Sequence, residues 1–316
     1  MTRSRALASL LAVVATVLAA CGSSGGNAPS GGAIDLSGAR FTVGSKEFTE
    51  NLVLGEIAAQ ALRAAGADVG PLKSITGTTN VRTALTSGQI DLYWEYTGTG
   101  WGAHLQREVS QAPRDPAQLF AQVKDADVAN GVSWLDPAPL NNAYAIAVPR
   151  ARQEQLGVRT LSDYAALVQR DPAQARLCAA AEFLTRDDGF PGLQRTYGFQ
   201  LPTSSIAELE LSLIPKLAAE GKTCTFGEVF VTDGAVAAND LVLLTDDKKA
   251  IVDFNAAVTV RTQVLDAQPR LRDVFGPISA ALTSDEIRAL NERVDVGGEL
   301  PDDVAGDWLR AKGFTT

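Results

Sequence analysis

Very few residues of this chain are equipped for covalent or metal chemistry. Its 316 residues include one histidine, His104, and three cysteines, Cys21, Cys178 and Cys224. A single imidazole excludes sites that need several, and without a Cys-x-x-Cys pair a structural zinc site is not expected either. Ser45 and Ser133 have only His104 as a conceivable base, and no Gly-x-Ser-x-Gly elbow occurs. Neither Cys178 nor Cys224 has a neighbour that reads as a base for a nucleophilic thiol. The glycine-rich stretches Gly77-Thr78-Thr79-Asn80 and Gly98-Thr99-Gly100 lack the Gly-Lys-Ser/Thr of a phosphate-cradling loop, so nucleotide binding has no support. No catalytic group, metal or cofactor is expected, which leaves non-covalent binding.

Composition narrows the partner. With 28 basic against 37 acidic residues the formal charge is −9, and such a balance offers no footprint for a nucleic-acid backbone. An apolar fraction of 46% with 21% charged residues predicts a substantial core, and the length favours two domains.

The N-terminus predicts export. Arg3 and Arg5 precede an apolar run over 6–20, too short and wrongly flanked for a membrane span, so residues 1–20 read as a signal peptide. The run ends in Leu18-Ala19-Ala20-Cys21, which resembles a bacterial lipobox and implies lipidation of Cys21; cleavage near Ala20 without lipid is the alternative. Residues 21–37 are rich in Gly and Ser and suit a flexible tether. The expected location is the extracytoplasmic side of the cell membrane, held through the lipid on Cys21. An oxidising compartment turns the remaining pair into an expected Cys178–Cys224 disulfide, against the alternative of two small buried hydrophobes.

Strand-like and helical patterns alternate along the rest of the chain, the signature of an α/β fold. Strands are expected at 41–43, 69–75, 90–96, 143–148, 175–181, 228–231, 241–244 and 257–260. Helices are expected from about 52 to 65, up to Gly88, over 115–129, near 193–197, over 205–219, and near 262–275, 284–293 and 302–312. The segments 84–98 and 217–234 share one order of helix, glycine stop, strand and Thr- and Gly-containing turn, which predicts two similar lobes. Ligands of open α/β sheets sit outside the carboxyl ends of strands. The candidate loops are therefore 44–51, 96–101, 141–144, 185–189 and 230–234, and they carry Ser45, Lys46, Asn142, Thr232 and Asp233.

At these loops the sequence resembles the glycine betaine/carnitine/choline-binding proteins of ABC importers. The likeness is carried by Gly44-Ser45-Lys46-Glu47-Phe48-Thr49-Glu50, Glu95-Tyr96-Thr97-Gly98-Thr99, Phe183-Leu184-Thr185-Arg186-Asp187-Asp188-Gly189 and Thr232-Asp233-Gly234, and it runs from about Phe41 to Phe314. It implies a bilobal periplasmic-binding-protein fold (type II-like) with a two-segment hinge, lobe I being 38–145 plus 251–316 and lobe II 146–250. It also implies a small osmoprotectant solute, an ABC permease partner with a separate ATPase subunit, and no enzymatic activity.

A quaternary ammonium has no donors and is held by ring faces and dispersion, while a ligand carboxylate needs a cationic or amide partner. By resemblance Tyr96 and Tyr144 supply rings, Arg186 clamps a carboxylate and Thr99 lies near the ligand. Phe230 stands where the family has a tyrosine, and Leu213-Ile214-Pro215 replaces another aromatic position, so the ring cage is incomplete. A different small polar or aromatic solute, or a sensory or scaffolding lipoprotein, are the competing functions. Each site residue has a plainer alternative too. Arg186 can pair with Asp187 or Asp188, Lys46 and Glu47 can form a solvated helix start, Trp94 and Trp101 read as core or rim, Asp246-Asp247-Lys248-Lys249 reads as a solvated turn, and His104 as a surface residue.

Overall fold

Strand β5 (Leu92–Tyr96) is buried at all five positions, as a strand is when both faces of its sheet are covered. The computed structural model describes residues 34–316; the expected signal segment, Cys21 and most of the expected tether lie outside the described residues. In the first sheet β12 (Ala256–Arg261), from far along the chain, lies between β5 and β6 (Val132–Trp134) and runs antiparallel to both. Beside it β1 (Arg40–Phe41) pairs in parallel with β3 (Asp68–Val69), and β2 (Gly44–Ser45) with β4 (Lys73–Ser74). A parallel bridge from Val43 to Leu92 joins that segment to β5.

The second sheet has the order β11-β7-β10-β8-β9, formed by β7 (Tyr144–Pro149), β8 (Leu177–Ala179), β9 (Ile206–Glu208), β10 (Phe226–Phe230) and β11 (Leu241–Leu243). With their covering helices the two sheets make two α/β lobes. The chain crosses between Trp134 and Tyr144 and returns between Leu243 and Ala256, and the two crossings pair with each other. Asn141 bridges Asn255, Asn142 N–H donates to the Phe254 carbonyl at 3.0 Å, and Asn255 Nδ2 donates to the Leu140 carbonyl at 2.8 Å. Two short strands tied side by side can rotate together, which is the construction of a hinge.

Helix α1 (Thr49–Ala64) places Val53, Leu54, Ile57, Ala58 and Leu62 against the first sheet at helical spacing. Gly55 permits that approach, because a Cβ there would lie 2.8 Å from Leu72 Cδ1. The helices Ser284–Asp295 and Pro301–Ala311 close over α1, with Gln60 Nε2 donating to the Asp302 carbonyl at 2.8 Å. Cys178 on β8 and Cys224, just before β10, form the expected disulfide across two neighbouring parallel strands, Cα to Cα 5.6 Å. Closing a loop of this length contributes roughly 4 kcal/mol in the chain-entropy account.

Four elements differ from expectation. The strand at 69–75 is two strands, broken at Gly70-Pro71, where proline offers no N–H to a ladder. The helix expected over 205–219 begins only at Ile214, with Pro215 in its first turn, and residues 206–208 instead form the sheet-edge strand β9. The strand expected over 175–181 spans only Leu177–Ala179, and residues 181–185 form a short helix that runs into the expected loop. The helix near 262–275 is two helices, Thr262–Ala267 and Leu271–Ala281, parted at Pro269.

Candidate ligand site between the two lobes

Strand ends carry the rings. Tyr96 closes β5, Phe230 closes β10 and Tyr144 opens β7, and because β7 and β10 run antiparallel with Tyr144 opposite Phe230, their rings meet as a cross-strand pair 5.2 Å apart. Phe48, just before α1, bridges the lobes: its ring centroid is 6.1 Å from Tyr96 and 5.2 Å from Phe230. Tyr144 also meets Phe183 at 5.0 Å and the hinge residue Phe254 at 5.5 Å. Six rings thus form one continuous aromatic wall across the cleft, and their electron-rich faces are the partner a cation without donors requires.

The polar side of the wall is organised around Arg186, which leaves the helix Ala181–Thr185 with its guanidinium 5.9 Å from the Tyr144 centroid. Nε and Nη2 make a fork onto Asp188 at 2.7 and 2.5 Å, Nη1 donates to Thr78 Oγ1 at 3.2 Å, and Nη2 reaches Thr99 Oγ1 at 3.4 Å. The local ion pair with Asp188 is therefore present, and the same guanidinium stands beside Thr99 and the Tyr144 ring. Glu182 tightens the contact between lobes, its carboxylate accepting from Thr78 N–H at 2.7 Å and Thr78 Oγ1 at 3.1 Å.

On the lobe I side lies a buried ionic cluster. Lys46 Nζ is 2.7 Å from Glu95 Oε1 and 5.4 Å from the Tyr96 ring centroid, and Glu95 Oε2 meets Tyr93 Oη and His104 Nε2, each at 2.8 Å. Burial opposes ionisation of Glu95, but Lys46 and His104 outweigh it and hold the carboxyl well below the usual carboxylate range. Lys46 is thus not a solvated helix start. His104 is not a surface residue either, since its side chain is only 4% exposed; a carboxylate on the strand in front of it drew it inward, and composition alone carries no trace of that.

The remaining candidates divide. Asn142 donates to Thr232 Oγ1 at 3.0 Å, so both sit at the hinge end of the rings. Asp233 Oδ1 accepts from Ala235 N–H at 2.9 Å in the turn that leads into the next short helix, and burial pushes its pKa up to about 6. Ser45 faces Gly55 of α1, and its hydroxyl has no hydrogen-bond partner among the described residues. Trp94 and Trp101 are buried away from the wall, Trp101 Nε1 donating to the Glu108 carbonyl at 2.9 Å. Of the crossover turn, Asp246 is more than solvated surface: it accepts from Tyr197 Oη at 2.5 Å and from Ala250 and Ile251 N–H. No ring stands at 213–215, where Leu213 is exposed and Ile214 buried.

Missing from the expected set are Phe48, Phe183, Phe254 and Glu50. All but Phe254 lie inside quoted motifs, and their cue was an aromatic or acidic residue next to a strand end. Phe254 had no cue short of knowing that the return crossing passes the cleft.

Comparison with known proteins agrees with this geometry. Residues 39–311 match the family described as the substrate binding domain of ABC-type glycine betaine transport system. The chain is 34% identical over 275 residues to the glycine-betaine-binding protein of Pseudomonas aeruginosa, covering 85% of this chain and 86% of that one. It is 33% identical over 278 residues to the glycine betaine-binding protein YehZ of Escherichia coli, covering 86% and 90%. The solved structure of apo YehZ superposes with a TM-score of 0.64 at 33% identity over 88% of this chain and 99% of that one. Two α/β lobes, a paired hinge and a run of rings where the lobes meet coincide with that match over nearly the whole described chain, and the protein belongs to the substrate-binding family of ABC-type glycine betaine transport systems.

Proposed function

We propose that this protein is the lipid-anchored extracytoplasmic receptor of an ABC importer, and that it captures a small quaternary-ammonium solute of the glycine betaine, choline and carnitine class without altering it. The observation that carries the reading is the continuous wall Tyr96–Phe48–Phe230–Tyr144–Phe183 with the Arg186 guanidinium beside it. Ring faces hold the cationic head, at about 0.5–2 kcal/mol per desolvated contact. Arg186, with Thr78 and Thr99, receives the anionic end of a zwitterion. The moving bodies are residues 38–145 with 251–316, and residues 146–250. Closure presents a surface that a separate permease, driven by its own ATPase, distinguishes from the open form. Cys21 after a lipobox-like run supports the anchor, and intact mass of membrane-extracted protein tests it.

The ligand is tested by a thermal-shift screen of glycine betaine, choline, carnitine and proline betaine against sugars and aromatic solutes. A ligand that binds only the native state raises the melting temperature, by about 2.7 kcal/mol of stability at a hundredfold excess over Kd. Quaternary amines are expected to shift it. A shift by other solutes only would move the protein to a different small polar or aromatic ligand, the reading favoured by the missing ring at 213–215. Indifference to every solute would favour a sensory or scaffolding lipoprotein.

A further inference from the structure

Glu50 is a fully buried carboxylate at the contact of the lobes, and no cation pairs with it among the described residues. Burial raises its pKa above the ordinary carboxylate value and its hydrogen bonds work against that rise, so those bonds decide how the group is held. Tyr96 Oη donates to Oε1 at 2.9 Å, and Thr232 Oγ1 and Asn291 Nδ2 donate to Oε2 at 2.5 and 3.3 Å. These donors come from both lobes, Tyr96 and Asn291 from lobe I and Thr232 from lobe II. Tyr96 ends β5 in lobe I, Thr232 follows β10 in lobe II, and Asn291 lies on the Ser284–Asp295 helix. Asn291 Nδ2 also donates to the Thr232 carbonyl at 2.9 Å, and Asn142 of the hinge donates to Thr232 Oγ1.

We propose that Glu50 is a positioning residue that couples the orientation of the Tyr96 ring to the seating of lobe II. When Thr232 is docked, Glu50 has its donors, the Tyr96 hydroxyl is fixed, and the ring face is set toward Phe48. When Thr232 withdraws, the Glu50 carboxyl loses a hydrogen bond and draws in water, and its hold on the Tyr96 hydroxyl loosens, leaving the 3.3 Å contact from Asn51 Nδ2. Tyr96 therefore does not use its hydroxyl on the ligand, and the ligand's hold on the ring and the closing of the lobes become one event. The part of this that concerns ligand binding rests on the function proposed above; the part that concerns lobe contact does not.

Glu50→Gln places an amide donor against donors, and Thr232→Val removes one hydroxyl while keeping the side chain's shape. Small-angle X-ray scattering of the ligand-free chain is expected to give a larger radius of gyration for both variants than for the unmodified protein, with unchanged circular dichroism. Titration with choline and glycine betaine is expected to show about tenfold weaker binding for each variant, the consequence of losing one buried hydrogen bond. Tyr96→Phe is expected to weaken binding severalfold alone and less than twofold when added to Glu50→Gln, because both changes break the same link. Unchanged scattering in both variants, or effects of Tyr96→Phe and Glu50→Gln that multiply independently, would overturn the proposal. Should Glu50→Gln fail to fold, Thr232→Val decides by the same two readouts. Should neither probe bind the unmodified protein, the ligand class is refuted while the scattering comparison still decides the role of Glu50.

Discussion

The two walls of the cleft are built on opposite plans. On the lobe I side the charged groups are sealed: Lys46 and Glu95 have side chains 5% and 0% exposed, and they are held by Tyr93, His104 and the Tyr96 N–H. On the lobe II side Arg186 and its partners keep a path to solvent, with Glu182 42% exposed, and the donors of Arg186 are shared among Asp188, Thr78 and Thr99. Breaking one bond of a sealed network leaves a buried charge without a partner, whereas a shared fork can exchange one acceptor for another. The difference separates the two tasks of a receptor. Under the proposed function, the Lys46–Glu95 network is set before the ligand arrives, and Arg186 trades an internal carboxylate for the ligand's.

The comparison breaks most visibly at Lys46. Lys46→Ala is expected to destabilise the protein by about 3–5 kcal/mol, because Glu95 is then buried without its cation. Urea denaturation followed by circular dichroism measures this, and Lys46→Met, equally long but uncharged, should be nearly as harmful. A loss below about 1 kcal/mol in both would show that water reaches Glu95 and that the first wall is not sealed.

How much of this was legible depends on whether neighbours along the chain or neighbours in space make a feature. Helix α1 and strand β5 follow from spacing of apolar residues, and the glycine stops at Gly66 and Gly88 follow from backbone freedom at φ +90° and +80°. Tyr96, Tyr144 and Phe230 are marked by the family resemblance, and their places at strand ends agree with where α/β folds bring loops together. The segment over 206–208 was misread because Ile206 and Leu209 fit a helix as well as a strand, and only the open edge of β8 decides for the strand. Asp233 has a second task that its motif does not announce, since its carboxylate accepts from Ala235 N–H in the turn that follows. The inward turn of His104 and the role of Phe254 depend on partners 9 and 110 residues away, Glu95 and Tyr144, and no local pattern encodes them.

A second test sharpens the account of the lobe II wall through Glu228, on β10 behind Arg186. Burial pushes its pKa up to about 8, the nearby Glu182 adds to the rise, and its carboxyl accepts from Ala180 N–H at 2.7 Å. A folded-state value above that of the unfolded chain means that the native protein keeps a proton the unfolded chain has released. The associated stability is fully present below about pH 4.5 and is lost as the pH climbs through about 8. Relative to the unmodified protein, Glu228→Gln should therefore gain up to about 4 kcal/mol between pH 5 and pH 9, since an amide keeps the acceptor for Ala180 and has no proton to lose. Denaturation midpoints across that range check it, and parallel curves for the two proteins would place the titration elsewhere.

The smallest effect on stability and the most selective on binding is expected at Arg186. Arg186→Lys keeps a positive charge beside Asp188 and Glu182, so stability should change by no more than about 1 kcal/mol, but a lysine cannot reproduce the fork. If the guanidinium trades Asp188 for a ligand carboxylate, glycine betaine and carnitine should bind about five- to tenfold more weakly, while choline, which has no carboxylate, should bind within about twofold of the unmodified protein. Calorimetric titrations of all three against both proteins separate the outcomes. Equal losses for choline and glycine betaine would mean that Arg186 acts only by supporting the Tyr144 ring, and the wall described as adjustable would then be a second fixed one. A loss confined to the zwitterions would locate the exchange at one side chain, the guanidinium of Arg186, and leave the rings to hold the cationic head common to both classes.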